Sequence, residues 1–551
     1  MADKEKQRRE IIAQDVKDLH SLGYAQQLFR EMGGFSNFAI SFTIISILTG
    51  AILLYGYGLK FAGPIINTVG WPIVSVFTLC VAASMAEIAS AYPTAGGLYY
   101  WAYRLGGKGW AWITAWMNMI GQITITAGIN IAAAIYLIGF ITQLFGIDPA
   151  SEVFAGLHWS DWNFYLLVMI LIMIPQVIIN IAGIKIVELM NNFSVYWHIA
   201  GVVIIALLLT FLGSHHNSLG FMFSFVNTVN PLDASSAPLV EGGPAVPALV
   251  IGPVTVASPL FSIIPGLTEL YRAAPFVLVF GLAFLQAQWT YTGYDASAHM
   301  AEETYLARMN SAWGVFLSVA VSAVVGYILM LALTWSVTDI AATANDPYPV
   351  LYIVRENLAP FFANVIGVII AGAMWLCGNG SITSMARMWF AFSRDGGMPG
   401  SKFIGQINPK YRTPVNSILV TCVLAVLITV YSAAFSVVTS ISTIALYLAY
   451  MFPIYLNWRN KRANQGEHTG NVLAPWNLKQ WGPIINLIAI VWIVIISILF
   501  ILPPNELVLW TMVAVGALLA VYWFAFERSR FKGPRHMTEE ELRAVEKEYA
   551  F

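Results

Sequence analysis

One acidic residue falls in the middle of an apolar stretch that begins at Pro275. The stretch is long enough to cross a bilayer as one helix, yet Thr292 and Gly293 and then Asp295 interrupt it. A charged side chain at this depth costs about 2.5–3.5 kcal/mol on membrane-insertion scales, so it usually serves a function. Gly and Thr allow a helix to unwind where the freed backbone groups line a cavity. A broken helix with an acid at the break is typical of a transporter binding site.

A second apolar stretch, residues 35–59, has the same Thr-Gly pair near its middle, at Thr49 and Gly50. The two stretches are the first and sixth predicted spans, and they run in opposite directions across the membrane. Matched breaks in oppositely oriented halves indicate inverted repeats with a binding site near the membrane midplane. We expect span 1 to resume near Gly50 and Ala51, where free N–H groups and the positive helix end can hold a carboxylate.

Asp295 has two compatible interpretations. It precedes the resumed half of span 6, so it can cap that half. It can also bind a substrate amine or carry a proton. Aromatic rings beside it can hold a cation for roughly 0.5–2 kcal/mol, although most aromatic residues in spans serve packing. The predicted substrate-binding residues are Ser46, Thr49, Gly50, Ala51, Trp289, Tyr291, Thr292, Gly293, Tyr294 and Asp295.

Further polar residues predict proton coupling and a gate. His198 lies near the middle of span 5. Because histidine titrates near neutral pH, His198 and Asp295 are the two candidates for a coupled proton, although a neutral His198 can equally donate one interhelical hydrogen bond. Glu87 near the end of span 2 can pair with Arg387 and Arg394 near the end of span 8 as an inner gate. A solvated carboxylate without a gating role is the alternative.

Two amide residues in span 3, Asn118 and Gln122, lie one helical turn apart and therefore share a face. We expect them to make hydrogen bonds between helices rather than to contact substrate. His215 and His216 are adjacent in a loop, and two adjacent His residues without further ligands are a weak indication of a metal.

The composition places these residues in a membrane protein. Hydrophobic residues make up 58% of the 551-residue chain, the mean hydropathy is +0.70, and 10% of residues are charged. Soluble domains carry about 25% charged residues, and a spanning helix needs about 20 apolar residues. The apolar runs predict twelve spans: 35–59, 70–92, 110–144, 163–184, 186–213, 275–301, 310–336, 360–391, 415–434, 436–457, 481–502 and 506–527.

The basic residues predict how the chain is oriented. With twelve spans both termini lie on one side, and the loops opposite them hold three of the 28 Lys and Arg residues, Lys60, Arg272 and Arg355. Because basic loops stay on the cytoplasmic side, we expect both termini in the cytoplasm of a multi-pass protein of the cell membrane. The long opposite loop, residues 214–274, is rich in Pro, Gly, Ser and Val, and we expect an irregular cap there.

Several segments together carry a family resemblance. They are Leu28-Phe29-Arg30, Phe35-Ser36-Asn37-Phe38, Ser46-Ile47-Leu48-Thr49-Gly50, the segment from Glu87 to Ala102, Thr292-Gly293-Tyr294-Asp295-Ala296, Glu302-Glu303, and the segment from Ser393 to Pro399. In this order, over about residues 28–527, the chain resembles the amino acid/choline transporter family of the amino acid–polyamine–organocation superfamily, including amino acid and gamma-aminobutyrate permeases.

The resemblance implies an all-α membrane protein of twelve transmembrane helices with a five-plus-five inverted-repeat core, in which helices 1 and 6 are broken. It also implies a site between spans 1, 3, 6 and 8. The expected organisation is a cytoplasmic N-terminal tail (1–34), a first repeat (35–213), an extracytoplasmic loop (214–274), a second repeat (275–458), spans 11 and 12 with their preceding cytoplasmic loop (459–527), and a cytoplasmic C-terminal tail (528–551).

The expected function is secondary active transport of a small amino acid, with gamma-aminobutyrate as one candidate, by alternating access coupled to protons. The expected partners are this substrate, membrane lipid and the proton, with no cofactor and no nucleic acid. A choline, quaternary-amine or polyamine carrier and a non-transporting membrane sensor are the alternatives. We do not expect an enzyme, because the sequence holds no Walker A loop, His-Glu-x-x-His or Gly-x-Ser-x-Gly motif.

The predicted topology can be tested with epitope tags. Tags at Met1 and Phe551 are expected to be protected from antibody in intact cells, whereas a tag at Ser235 in the long loop is expected to be reachable from outside. Permeabilised cells provide the control, because all three tags should then be labelled. A C-terminal tag that is labelled in intact cells would contradict the span count.

Overall fold

The computed structural model describes residues 2–147, 152–153, 157–158, 162–228, 260–431, 435–463 and 474–548. This part of the chain is helical apart from its connections and one pair of two-residue antiparallel strands, Glu152–Val153 and Leu157–His158. Ten of its helices are long and apolar enough to cross a membrane, and two shorter apolar helices complete the twelve predicted spans. In chain order, spans 1 to 12 are Gly34–Leu53, Ile66–Ala91, Lys108–Phe145, Trp162–Ala182, Ile184–Leu212, Phe276–Thr290, Ala307–Trp335, Pro360–Arg394, Val415–Val430, Val437–Ala463, Lys479–Leu499 and Glu506–Arg530.

The spans divide into an inner group and an outer group. Most residues of spans 1, 3 and 10 are buried within the bundle, whereas few residues of span 12 are. The exposed side chains of the outer spans are mainly Ile, Leu, Val and Phe, which lipid tails solvate well. The polar side chains of Asn118, Gln122 and Asp295 are fully buried, where neighbouring helices can provide hydrogen-bond partners. The inner group therefore positions the candidate site.

Span 1 is broken at Ser46, whose backbone is left-handed (φ 35°, ψ 82°). The helix Gly34–Ile45 ends there and resumes at the next residue. The expected break at Thr49 and Gly50 is therefore wrong, because the N–H groups of these residues donate to the Ser46 carbonyl at 2.8 and 2.9 Å. The Ser46 hydroxyl lies 2.6 Å from Thr49 Oγ1 and 2.7 Å from His198 Nε2, and these contacts hold the non-helical residue in place.

Span 6 unwinds over residues 291–295, as its Thr-Gly pair predicts. The helix Leu285–Thr290 precedes the unwound segment, and the short helix Ala296–His299 follows it. Gly293 has a φ of +84°, a conformation that glycine adopts readily and other residues rarely adopt. The break in span 6 therefore depends on glycine itself, unlike the break in span 1.

Spans 1 and 6 cross with their backbones in contact. A Cβ atom on Gly50 would lie 2.7 Å from the Cα atom of Thr290, closer than side chains pack in proteins. Gly50 therefore lies inside a helix and permits the close approach of the two spans, instead of forming the break as expected. Because irregular backbone persists in a bilayer only where protein covers it, this crossing shields both interruptions.

Both chain ends lie on one face of the bundle, which we call the terminal face. The helices Ala2–Ser21 and Glu539–Glu548 meet there, with His20 Nε2 and Glu546 Oε1 2.6 Å apart. The Asp15 carboxylate accepts hydrogen bonds from two backbone N–H groups at the start of span 7, at 2.7 and 3.1 Å. Burial raises the pKa of the Asp15 carboxyl group, although these hydrogen bonds oppose the change. The two tails thus form part of the folded protein.

The opposite face carries short helices between the spans. Ile340–Asn345 and Pro349–Asn357 connect spans 7 and 8. The backbone N–H group of Val226 donates to the carbonyl of Ala62 at 3.1 Å, which ties the start of the long loop to the short helix Tyr55–Ala62 between spans 1 and 2. We expect an irregular cap in the loop 214–274, whose residues 229–259 lie outside the described residues. The described parts of the loop contain the short helices Leu219–Met222, Leu260–Ile263 and Leu267–Ala273.

The adjacent histidines of this loop face different partners. His215 Nε2 lies 3.2 Å from Asn217 Oδ1, whereas His216 Nε2 lies 3.0 Å from the carbonyl oxygen of Leu209. Among the described residues, no group of three or more His, Cys, Asp or Glu residues is placed to hold a metal ion.

Candidate functional site

A small cavity of about 10 Å³, roughly the room of one water molecule, lies where spans 1 and 6 are broken. Four predicted residues line it, namely Thr49, Gly50, Trp289 and Thr292. Isoleucines of spans 1 and 3 form most of the remaining wall, so the cavity is largely apolar. The other predicted residues are buried at the two breaks but lie outside the cavity wall: Ser46, Ala51, Tyr291, Gly293, Tyr294 and Asp295.

The buried carboxylate of Asp295 has hydrogen-bond partners from three spans. Its Oδ2 atom accepts hydrogen bonds from the side-chain amides of Asn118 at 2.8 Å and Gln122 at 3.1 Å, and it lies 3.1 Å from His299 Nε2. Its Oδ1 atom accepts a hydrogen bond from the Tyr450 hydroxyl of span 10 at 2.9 Å. Asp295 precedes the second half of span 6, yet its side chain makes no capping hydrogen bond. The helix-cap interpretation is therefore wrong for this side chain.

The two amide residues of span 3 link it to span 6, as expected for interhelical hydrogen bonds. Each uses its NH₂ group for Asp295, which leaves Asn118 Oδ1 and Gln122 Oε1 buried without a partner among the described residues. A buried acceptor without a hydrogen bond is costly. A ligand ammonium group would provide the N–H donors that these two oxygens lack.

Span 10 contributes aromatic residues to the break in span 6. The rings of Tyr450 and Tyr294 lie 5.0 Å apart between centroids, and the Tyr447 hydroxyl donates to the carbonyl of Tyr291. Tyr447 and Tyr450 are not among the residues predicted from the sequence. The three-residue spacing of Tyr447 and Tyr450 is a signal for this contribution, because it places both on one helix face.

His198 connects span 5 to the break in span 1. Its Nδ1 atom lies 2.8 Å from the carbonyl oxygen of Ser194, which can only accept, so Nδ1 donates. Its Nε2 atom lies 2.7 Å from the Ser46 hydroxyl, which can donate to it. Both ring nitrogens of a neutral imidazole are thereby satisfied.

The predicted pairing of Glu87 with Arg387 and Arg394 is wrong. The Glu87 carboxylate instead forms a buried ion pair with Lys461 and accepts a hydrogen bond from Asn457 at 3.1 Å. Both partners lie near the end of span 10, which packs beside span 2 at this level. The nearest cation to Glu87 therefore comes from a span that the sequence pattern did not connect with it.

The two arginines pair with acids at the end of span 6. Arg394 donates two hydrogen bonds to Glu302, both at 2.9 Å, and Arg387 donates to Glu303 at 3.1 and 3.3 Å. Glu302 also accepts the backbone N–H of Ala95 at 3.0 Å. These contacts join span 6, span 8 and the connection after span 2 on the terminal side of the break in span 6.

Neutral hydrogen bonds join the spans on the other side of the cavity. Gln286 donates to Asn67 at 2.9 Å, and Asn67 donates to Thr334 at 3.0 Å. The hydroxyl of Tyr55 lies 2.9 Å from that of Thr334. The two sides of the cavity therefore differ, because ion pairs close one and amide and hydroxyl groups close the other.

These features agree with the comparison with known proteins. The family model described as amino acid permease matches residues 32–526. The chain belongs to the amino acid permease family. The amino-acid permease BAT1 of Arabidopsis thaliana is 32% identical over 94% of this chain and 95% of its own length. The GABA-specific permease of Saccharomyces cerevisiae is 26% identical over 90% of this chain and 80% of its own length.

Membership of the amino acid permease family confirms the resemblance found in the sequence. It makes the protein a multi-pass membrane transporter of amino acids and not an enzyme. In such a permease, the cavity between spans 1, 3 and 6 is the candidate place for the amino acid.

Replacement of Gly50 by valine tests the crossing of spans 1 and 6. Gly50→Val is expected to abolish amino acid binding, because its side chain would collide with the backbone of Thr290. Gly516→Val is the matched control, since nothing lies within 4 Å of a Cβ at Gly516 in span 12. Binding of radiolabelled amino acids to purified monodisperse protein is the measurement, and normal affinity in Gly50→Val would place the site elsewhere.

Replacement of Arg394 by glutamine tests the closure of the terminal side. Arg394→Gln leaves Glu302 buried without its charged partner, which typically costs about 3–5 kcal/mol and should open this side. A thiol reagent is then expected to label Cys377 at the cavity faster, in a Cys80→Ala/Cys422→Ala background.

Arg543→Gln is the control for this labelling experiment, because Arg543 lies in an exposed ion pair. Equal labelling rates in wild type and Arg394→Gln would show that the ion pair does not hold the terminal side closed.

Proposed function

We propose that this permease is a secondary active transporter that moves a small amino acid through alternating access, coupled to protons. The observation that carries the proposal is the small cavity at two broken helices, with a buried carboxylate three residues along the chain from Thr292 of its wall. A site at two broken helices is what a carrier needs if each side of the membrane is to reach it in turn. The rocking of the span 1 and span 6 helices would open each side in turn.

The cavity favours a small cargo with an ammonium group. Its isoleucine walls suit an aliphatic molecule, and its volume of about 10 Å³ requires the spans to move apart around even a short one. The free amide oxygens of Asn118 and Gln122, together with Asp295, lie outside the present cavity wall and would accept the N–H groups of a cargo once the cavity widens towards them. The cargo carboxylate would meet the start of the second half of span 1, after Ser46, where helix N–H groups are unsatisfied.

Gamma-aminobutyrate is the first cargo to test. It is a short, unbranched amino acid, and one relative is named a GABA-specific permease. Choline and polyamines are the alternative cargoes on the same scaffold. Trp289 is the one aromatic residue in the cavity wall, which favours an amino acid over a quaternary amine that needs several rings.

The proposed orientation places the terminal face in the cytoplasm. This face and the two tails carry most of the Lys and Arg residues, which stay on the cytoplasmic side of a membrane and attract its anionic lipids. The ion pairs Arg394–Glu302 and Arg387–Glu303 then form the inner gate of a cell-membrane transporter.

Asp295 and His198 are the two proposed carriers of the coupled proton. His198 is already satisfied as a neutral imidazole by Ser194 and Ser46. Asp295 is held as a carboxylate by several donors, and unlike His198 it faces a second titratable side chain, His299 at 3.1 Å, with which it can share a proton. The geometry therefore favours Asp295.

Two measurements test the proposed function. Purified protein is expected to show a thermal shift with a small amino acid, in a screen that includes gamma-aminobutyrate, polyamines and choline. The same amino acid is expected to accumulate in proteoliposomes under an imposed pH gradient without sodium. Liposomes without protein and a gradient of reversed direction are the controls.

Each alternative predicts a different result in these measurements. A shift with choline alone would support the quaternary-amine carrier. Ligand binding without any flux would support a membrane sensor. Sodium-dependent uptake that ignores the pH gradient would contradict proton coupling but leave amino acid transport in place.

A further inference from the structure

His299 lies against Asp295 in a way that restricts where its protons are. Its Nδ1 atom lies 3.0 Å from the backbone carbonyl oxygen of Ala95, and its Nε2 atom lies 3.1 Å from Asp295 Oδ2. A carbonyl oxygen can only accept a hydrogen bond, so Nδ1 carries a hydrogen. In a neutral imidazole with this tautomer, Nε2 is an acceptor and would face the carboxylate oxygen without a hydrogen between them.

The contact between Nε2 and Oδ2 therefore needs one further proton. Either the imidazole is protonated and the carboxylate is not, or the carboxyl group is protonated and donates to the imidazole. In both forms the pair is neutral overall and holds one proton between its two members. Without that proton the pair has a charge of −1, and two acceptors face each other in a buried site.

The side chains that surround the Asp295–His299 pair carry hydroxyl and amide groups. Asn118 and Gln122 face it from span 3, and Tyr450 and Tyr447 face it from span 10. Tyr294 of the unwound segment faces it as well. Among the described residues, the cation within hydrogen-bond reach of the Asp295 carboxylate is His299 when it is protonated.

Ala95 connects this pair to the gate. Its carbonyl accepts the hydrogen bond of His299, while its N–H donates to the carboxylate of Glu302, which pairs with Arg394. One peptide segment thus touches both the proton-holding pair and the ion pair that closes the terminal side. Loss of the proton would turn the attraction between Nε2 and Oδ2 into repulsion and shift His299 away from Ala95.

We propose that Asp295 and His299 jointly hold the one proton that moves with the amino acid, and that Ala95 transmits its release to the Arg394–Glu302 gate. The pair takes the proton from water on one side and gives it to water on the other side as the gate opens, so that proton release and gate opening favour each other. This assignment rests on the proposed proton-coupled transport and adds the residue pair that performs it.

The test compares two histidines that are both fully buried in spans, with the same substitution in each. Proteoliposomes are assayed with a radiolabelled mixture of amino acids that contains gamma-aminobutyrate. The first measurement is accumulation driven by a pH gradient, and the second is exchange without a gradient between about pH 5 and 8. His299→Gln is expected to lose accumulation above the level without a gradient, and its residual exchange is expected not to change with pH.

His198→Gln is the matched control and is expected to keep the pH profile of the wild type, whatever its rate. A His299→Gln protein that still concentrates amino acids on a pH gradient would overturn the assignment. So would loss of the pH dependence in His198→Gln alone. If accumulation by the wild-type protein does not respond to the pH gradient, the proposed proton coupling itself is contradicted. If the wild-type protein responds and His299→Gln responds equally, only the assignment to Asp295 and His299 is contradicted.

If the His299→Gln protein does not fold, two further measurements can still test the proposal. Asp295→Asn removes the other member and is expected to lose the same pH dependence, and a wild-type profile in this variant would contradict the proposal. Solid-state NMR of ¹⁵N-histidine-labelled protein needs no change at His299. Because His198 also has a hydrogen on Nδ1 and a hydrogen bond at Nε2, the spectrum is recorded on His198→Gln protein. One buried imidazole with a hydrogen on Nδ1 and a strong hydrogen bond at Nε2 is expected to persist there through pH 7, and its absence would also contradict the proposal.

Discussion

A carboxylate in the middle of a membrane protein must be surrounded by hydrogen-bond donors, and much of this bundle is arranged around that requirement. Asp295 receives donors from span 3 and span 10 and faces His299 of its own span. Because burial of an isolated charge is so costly, these spans have to converge on one place. The convergence also creates the cavity, since spans 3, 6 and 1 meet there.

The backbone imposes a second constraint of the same kind. Unwound segments in a bilayer need protein cover for their N–H and C=O groups. The break at Ser46 is covered by His198, and the break in span 6 is covered by span 1, which approaches closely because residue 50 is glycine. The innermost spans are therefore those that carry or cover a break, while the outer spans face lipid.

The closure of the cavity differs between its two sides for a physical reason. Buried ion pairs such as Arg394–Glu302 are costly to break singly, whereas amide and hydroxyl contacts such as that of Gln286 with Asn67 are each weak. The terminal side therefore requires a specific event before it opens. A change in protonation next to Ala95, which touches both the Asp295–His299 pair and Glu302, is an event of that kind.

The sequence by itself determined the twelve spans, the break at Gly293 and the family, because apolar length, a glycine conformation and motif order are properties of a linear chain. Only the tertiary structure decided that span 1 breaks at Ser46, that Glu87 pairs with Lys461, and that Tyr450 reaches the buried carboxylate. Each of these depends on which side chains of distant spans meet. Pairing across a bundle is selected by packing and by the cost of unsatisfied polar groups, and neither is visible along one chain.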